Sequence, residues 1–303
     1  METFFVTLAS GSLLISWFAT PHLTSISLPK PCDAQARYDI VAAQNAKTIE
    51  TAELTTFGRK ETGWQIYAPQ VGETIGTACA PDTRRFAANL SRWQSRNRLP
   101  ATGAVDPATL TAMKVTWQRS RPFIAAFTDG CPEAASEDDL VDIGPREGWQ
   151  GKQTQLHRDA LANLRRMVAA ARAADPRIAR DKQMLTIVSA FRSPEYDAAA
   201  CATRNCNGIA KARCSAHRTG TAVDLYVGAA PGQSPVSSDD ENRLFQTRTP
   251  TYRWLVKNAA KYGFVNYVFE PWHWEWVGPD QQMPIPKPQK PPVFAEIFSQ
   301  YSR

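Results

Sequence analysis

Histidine is scarce in this 303-residue chain: there are four, against six cysteines. Any chemistry built on imidazole therefore has few residues to choose from. Long apolar runs are scarce as well. Residues 4–19 are apolar apart from Thr7, Ser10, Gly11, Ser12 and Ser16, a run short of the roughly 17–25 residues of a membrane span. The run suits the core of a signal peptide, although no Lys or Arg precedes it and Glu2 has the wrong sign for the leading segment. An uncleaved membrane anchor through residues 4–19 and a buried helix are the alternatives. Pro29, Lys30 and Pro31 exclude a lipobox ahead of Cys32. No internal repeat is visible, and no regular strand–helix–strand period, which argues against a doubly wound fold. With 43% hydrophobic and 21% charged residues, the composition excludes disordered and collagen-like chains.

Charge is present but unevenly spread. The net charge is +6, yet residues 1–150 carry 14 basic and 16 acidic groups while 151–303 carry 21 and 13. Residues 84–121 alone hold eight basic groups and one Asp. Such asymmetry points to a polyanionic partner: nucleic acid, anionic membrane or cell-wall polymer. The six cysteines are Cys32, Cys79, Cys131, Cys201, Cys206 and Cys214. An even number in an exported chain suggests disulfides, with connectivity left open. The last three are spaced C-x4-C-x7-C, which does not match the paired knuckles of structural zinc. One of the three must pair upstream or stay free.

Phe86, Leu90 and Trp93 recur at helical spacing among Arg84, Arg85, Arg92 and Arg96, which predicts an amphipathic helix over 84–98 with a basic outer face. Asp106 caps a second helix with Pro107 at its first position and Leu110, Met113 and Trp117 on its stripe. Residues 129–147 are acidic and read as a solvated connector, with Leu140 and Val141 touching the next domain. A helix is expected from Leu156 to Ala173, stopped by Asp175-Pro176. Buried strands are expected over Met184–Phe191 and Thr221–Val227, the latter with Val223, Leu225 and Val227 on one face and Asp224 on the other. Thr251–Tyr262 reads as a helix ended by Gly263, with an aromatic strand after it through Trp272, Trp274 and Trp276. The fold class is therefore α+β with a small, mainly antiparallel sheet.

His22 lies in the segment expected to be removed, and His157 opens a helix, where a structural role is the default. His217 and His273 lie in the most unusual stretches, SAHRTGTAVD and EPWHWEWVG. A catalytic zinc needs three protein ligands and an open position; His217, Asp224 and His273 supply a His2Asp set. His217 and Asp224 are seven apart, so a straight strand would point them to opposite faces, and Gly220 permits the turn that lets them converge. Glu270 is the nearby general base. Taken singly, Asp224 as a turn cap and Glu270 as a surface ion-pair partner are the plainer readings; together, on so few histidines, the site reading prevails.

SAHRTGTAVD resembles the S-x-H-x-x-G-x-A-x-D motif of the zinc D-alanyl-D-alanine carboxypeptidases of VanY type. EPWHWEWVG resembles their E-x-W-H-W motif, and SAFRS (residues 189–193) their S-G-Y-R-S, with Ala190 and Phe191 departing from the usual Gly and Tyr. TYRWLVKNAAKYGF is in the family's style and order. The resemblance covers roughly residues 138–280. It implies the fold shared with lysostaphin-like and hedgehog-like domains, helices flanking a small antiparallel sheet with zinc in its cleft. It further implies zinc on His217, Asp224 and His273, Glu270 as base, Arg192 as oxyanion stabiliser or substrate clamp, and Ser215 and Trp272 as substrate contacts. GAVDPATL, in the basic helix pair, resembles the peptidoglycan-binding repeat found beside cell-wall hydrolases.

The expected organisation is a signal peptide or anchor (1–27), an N-terminal extension (28–75), a peptidoglycan-binding-like helical domain (76–125), an acidic connector (126–150), a zinc peptidase domain (151–280) and a Pro-rich tail (281–303). The expected function is a periplasmic or secreted, zinc-dependent D,D-carboxypeptidase that removes terminal D-Ala from peptidoglycan stem peptides. An endopeptidase of the same fold and a non-catalytic zinc-containing wall-binding module are the rival readings. Anionic cell-wall polymer then fits the basic charge better than nucleic acid.

Overall fold

The first half of the chain is helical because apolar residues recur at helical spacing between well-capped ends. The computed structural model describes residues 31–56, 58–126, 131–203 and 214–278. Here α1 (Asp39–Thr51) leads into the hairpin β1 (Glu53–Thr56) and β2 (Arg59–Thr62), then α2 (Ala68–Thr74), α3 (Arg84–Arg96), α4 (Pro107–Arg119) and the short α5 (Pro122–Ala126). Thr83 caps α3 by accepting from the Phe86 N–H, and Asp106 caps α4, as the sequence predicts, by accepting from the Thr109 N–H. The turn between these helices is fixed by one buried amide. Gln94 accepts from the Gly103 N–H and donates to the Ala104 carbonyl and the Thr109 hydroxyl. Phe86, Leu90, Leu110, Met113 and Trp117 then pack with Trp64, Tyr67 and Val71.

The eight basic groups of residues 84–121 do not all reach solvent. Arg92, Arg96 and Arg98 are exposed, but Lys114 and Arg121 are buried, at 2% and 7% exposure.

In the second half, β3 (Leu140–Asp142) pairs antiparallel with β4 (Gln155–His157). Beyond them come α6 (Arg158–Ala174), α7 (Pro176–Arg180), β5 (Ile187–Ser189), α8 (Pro194–Thr203), β6 (Ala222–Leu225), α9 (Asp240–Arg248), α10 (Pro250–Asn258), β7 (Phe264–Asn266) and β8 (His273–Trp276). The last four strands form an antiparallel sheet in the order β5-β6-β8-β7. This is the α+β architecture expected. Val223, Leu225 and Val227 turn into a core with Leu161, Leu164 and Trp274.

Two elements differ from expectation for local reasons. The helix expected from Leu156 begins at Arg158, because residues 155–157 are taken up in pairing with β3, and His157 caps the helix by accepting from the Asp159 N–H. The strand expected from Met184 is only three residues long. Leu185 has φ 66°, and the Thr186 N–H closes a turn onto the Gln183 carbonyl, so extended pairing cannot start before Ile187.

Disulfides join Cys32 to Cys79 and Cys131 to Cys214, so one member of the late cysteine cluster pairs upstream; Cys201 is disulfide-bonded too. Cys206, the apolar run 4–19 and the tail 281–303 lie outside the described residues. Among the described residues no helix is long and apolar enough to cross a membrane.

Candidate metal centre

The centre forms where β6 and β8 run side by side. Asp224 and His273 are direct cross-strand partners, so the pleat turns both side chains to the same face of the sheet. Trp274 and Trp276, which flank Glu275 along β8, enter the core behind it. His217 arrives from a single 3-10 turn, Ala216–Thr219, closed by Gly220 at φ 68°. Glycine is required there twice over. The left-handed conformation disfavours a side chain, and a Cβ would meet Ala135 Cβ and Leu140 Cδ2 at 2.9 Å each. Ser215 caps this turn, its hydroxyl accepting from the His217 N–H at 3.2 Å, while its own N–H is held by Asp197 at 3.1 Å.

Both imidazoles converge on one oxygen. His217 Nε2 lies 3.2 Å and His273 Nδ1 2.9 Å from Asp224 Oδ1. The three candidate ligand atoms lie within 4.8 Å of one another, and all three residues are buried. Each ring is steadied through its other nitrogen: His217 Nδ1 on the Ala190 carbonyl at 2.7 Å, His273 Nε2 on Glu275 Oε1 at 3.3 Å. A two-nitrogen, one-oxygen donor set with both remote nitrogens engaged is the arrangement metal-ligating histidines adopt. These side chains therefore fit a divalent ion such as zinc.

Electrostatics separates the two histidines. Burial pushes His217 down to about 4, so its ring is neutral at pH 7. Burial acts the same way on His273, but hydrogen bonds to Asp224 and Glu275 outweigh it and push the ring up to about 9. Asp224 is held well below the usual carboxylate range, since the two histidines outweigh the cost of its burial. Glu270 is shifted the other way. Desolvation raises its carboxyl, and the nearby Asp224 charge adds to the rise, against His273, Arg121 and Arg192. A partly exposed carboxyl with raised affinity for protons, electrostatically coupled to the metal-ligand set, is what a general base requires.

Arg192 comes just after β5 and is partly exposed. Its Nη2 donates to Asp224 Oδ2 at 3.1 Å and to the Ser189 hydroxyl at 2.9 Å. Of the sequence candidates, His217, Asp224, His273, Glu270, Arg192 and Ser215 thus gather around one centre. Trp272 does not. It is 3% exposed within the main core, because the alternation that brings His273 to the cleft turns the preceding ring inward. Its expected substrate contact is corrected to a packing role. Glu275 and Arg121 escape the motif reading. Glu275 carries a signal in hindsight, being an acid two residues from His273 and so on the same strand face. Arg121 carries none, as it is distant in sequence.

No match is found among curated proteins. Residues 153–279 match the family model VanY, D-alanyl-D-alanine carboxypeptidase. That segment includes every residue gathered at the centre except Arg121, and over it the chain is similar to the VanY family of peptidases.

Proposed function

We propose that the protein is an exported zinc-dependent D,D-carboxypeptidase acting on peptidoglycan stem peptides, with His217, Asp224 and His273 as ligands and Glu270 as general base. The observation that carries this reading is the convergence of two buried imidazoles on Asp224 Oδ1 inside a VanY-matched segment. When bound, zinc supplies polarisation of the scissile carbonyl and acidification of water. Glu270 accepts the proton of the attacking water and passes it to the leaving amine, a two-way role suited by its raised proton affinity. Arg192, whose side chain is 31% exposed, offers guanidinium donors to the developing oxyanion or to the substrate's terminal carboxylate. Ser215 acts by setting the turn that carries His217.

Disulfides at Cys32–Cys79 and Cys131–Cys214 support an oxidising, extracytoplasmic location, which suits a periplasmic or secreted enzyme. The exposed Arg92, Arg96 and Arg98 on and just after α3 are the proposed contact for anionic cell-wall polymer.

The test is hydrolysis of a D-Ala-D-Ala-terminated pentapeptide, and of purified peptidoglycan, with products identified by mass. Free D-Ala that disappears on chelation supports the carboxypeptidase, while release of cross-linked muropeptides without free D-Ala points to an endopeptidase. Glu270→Gln is expected to keep zinc and lose at least about 100-fold in rate. A fully active E270Q removes Glu270 from the mechanism.

A further inference from the structure

Arg121 lies outside the family-matched segment, two residues past the end of α4, yet its side chain ends against the strand that carries His273. Its Nε donates to Glu275 Oε1 at 2.7 Å and its Nη1 to Gln118 Oε1 at 2.9 Å. The Phe123 N–H donates to the second Glu275 oxygen at 3.0 Å. Held on both oxygens, Glu275 presents Oε1 to His273 Nε2 at 3.3 Å. The same guanidinium covers the Tyr267 ring at 4.0 Å, and that ring meets the His273 ring edge-on, centroids 6.1 Å apart. The Tyr267 carbonyl accepts from the Glu270 N–H at 2.7 Å. One arginine therefore touches both the partner of a metal ligand and the turn that leads to the base. Phe123 also packs with Cys214 and Ala216, beside the turn that carries His217.

A buried ion pair is a poor way to gain stability, because desolvating both charges offsets most of their attraction. Its placement here does something an apolar pair could not. A carboxylate on the remote nitrogen of a ligating histidine fixes the ring and its tautomer and makes the facing nitrogen a better donor.

We propose that Arg121 is a positioning residue for the metal centre. Acting through Glu275, it sets the His273 ring so that Nδ1 faces the centre, and residues 118–123 thereby complete a site that segment 153–279 lacks on its own. This rests on the reading of His217, Asp224 and His273 as ligands.

The test uses the full chain and measures zinc affinity by chelator competition and the visible absorption of the cobalt-substituted protein, alongside circular dichroism and melting. Arg121→Met and Glu275→Gln are expected to weaken zinc about 10–100-fold and to shift the cobalt bands with the fold intact. Arg121→Lys, which restores a charge without the planar fork, should fall between wild type and R121M. If R121M fails to fold, the double variant R121M/E275Q, which leaves no buried charge unpaired, should show the same loss. Wild-type zinc affinity and cobalt bands in folded R121M or R121M/E275Q overturn the proposal and leave the ligand reading intact. A wild-type chain that binds neither zinc nor cobalt overturns both.

Discussion

At Gly220 the backbone turns with φ 68°, and no room is left for a methyl group between Ala135 and Leu140. The consequence reaches the metal centre, since this residue ends the turn that holds His217 three positions earlier. Gly220→Ala is expected to destabilise the fold by about 1–2 kcal/mol from the left-handed conformation alone, with the two 2.9 Å contacts adding to it. Urea denaturation measures the loss, and zinc retention should fall in parallel. An alanine variant with wild-type stability would show that the turn relaxes freely. Trp272 makes the complementary point. Its neighbours His273 and Glu270 belong to the centre, but its own ring is core, so nearness in a motif did not translate into nearness to the cleft.

Among the elements, the β6–β8 pair does most to define the centre. Asp224 opposite His273 and Ala222 opposite Glu275 place two candidate ligands and a ring partner on one face, and a one-residue slip would turn one strand's members away. The His217 turn is not part of that ladder and needs its own tether. It has the cap from Ser215, the Ala190 carbonyl on its imidazole, and the Cys131–Cys214 disulfide immediately before it. That bridge spans 83 residues of sequence. Replacing both cysteines by serine should cost about 2–4 kcal/mol in denaturation and weaken zinc binding, whereas a merely peripheral bridge would lower stability and leave the metal affinity unchanged.

At the scale of the whole molecule, the helical first half is built into the half that carries the candidate metal centre through a buried cluster of charge. Arg243 of α9 donates to Glu61 Oε1 at 2.6 Å, to the Tyr67 hydroxyl at 2.8 Å and to the Phe269 carbonyl at 2.8 Å. Lys114 of α4 joins it, its ammonium 3.9 Å from Glu61 Oε2, in hydrogen-bond contact with Thr56 and 4.0 Å from the centre of the Tyr67 ring. Val268, two residues before Glu270, packs into the same helical core. Burial lowers Lys114 from 10.5 to about 7. Below pH 7 it is charged in both the folded and unfolded states, and the cost of burying that charge is felt in full. Between pH 7 and 10.5 the unfolded chain holds the extra proton, so this group makes stability rise with pH. The slope is at most about 1.4 kcal/mol per pH unit. Tyr67 acts oppositely: burial raises its hydroxyl above 10, so its contribution is lost as pH climbs past that value. His273, raised to about 9, opposes the Lys114 rise below pH 9, so the Lys114 contribution is read from the difference between wild type and Lys114→Met, which should grow between pH 7 and 10. A pH-independent difference between the two denaturation series would assign no such role to Lys114.

Much of this was legible in the linear sequence because it is encoded locally. The cap at Asp106 lies within three residues of the N–H group it satisfies. Gly220 breaks the strand parity between His217 and Asp224 within a ten-residue motif, and the three candidate ligands, the proposed base Glu270 and Arg192 all carry family-like spacing. The sequence by itself therefore determined the fold class and that His217, Asp224 and His273 come together. Tertiary structure decided what depends on the far side of a contact. It buried Lys114 and Arg121 of the basic stretch 84–121, sent Trp272 into the core, and chose Cys131 as the partner of Cys214. The physical reason is that solvation is a property of place in the fold. Whether a charge is buried, and which acid steadies His273, depends on groups far away along the chain, as Arg121 is from Glu275 and Glu61 is from Arg243.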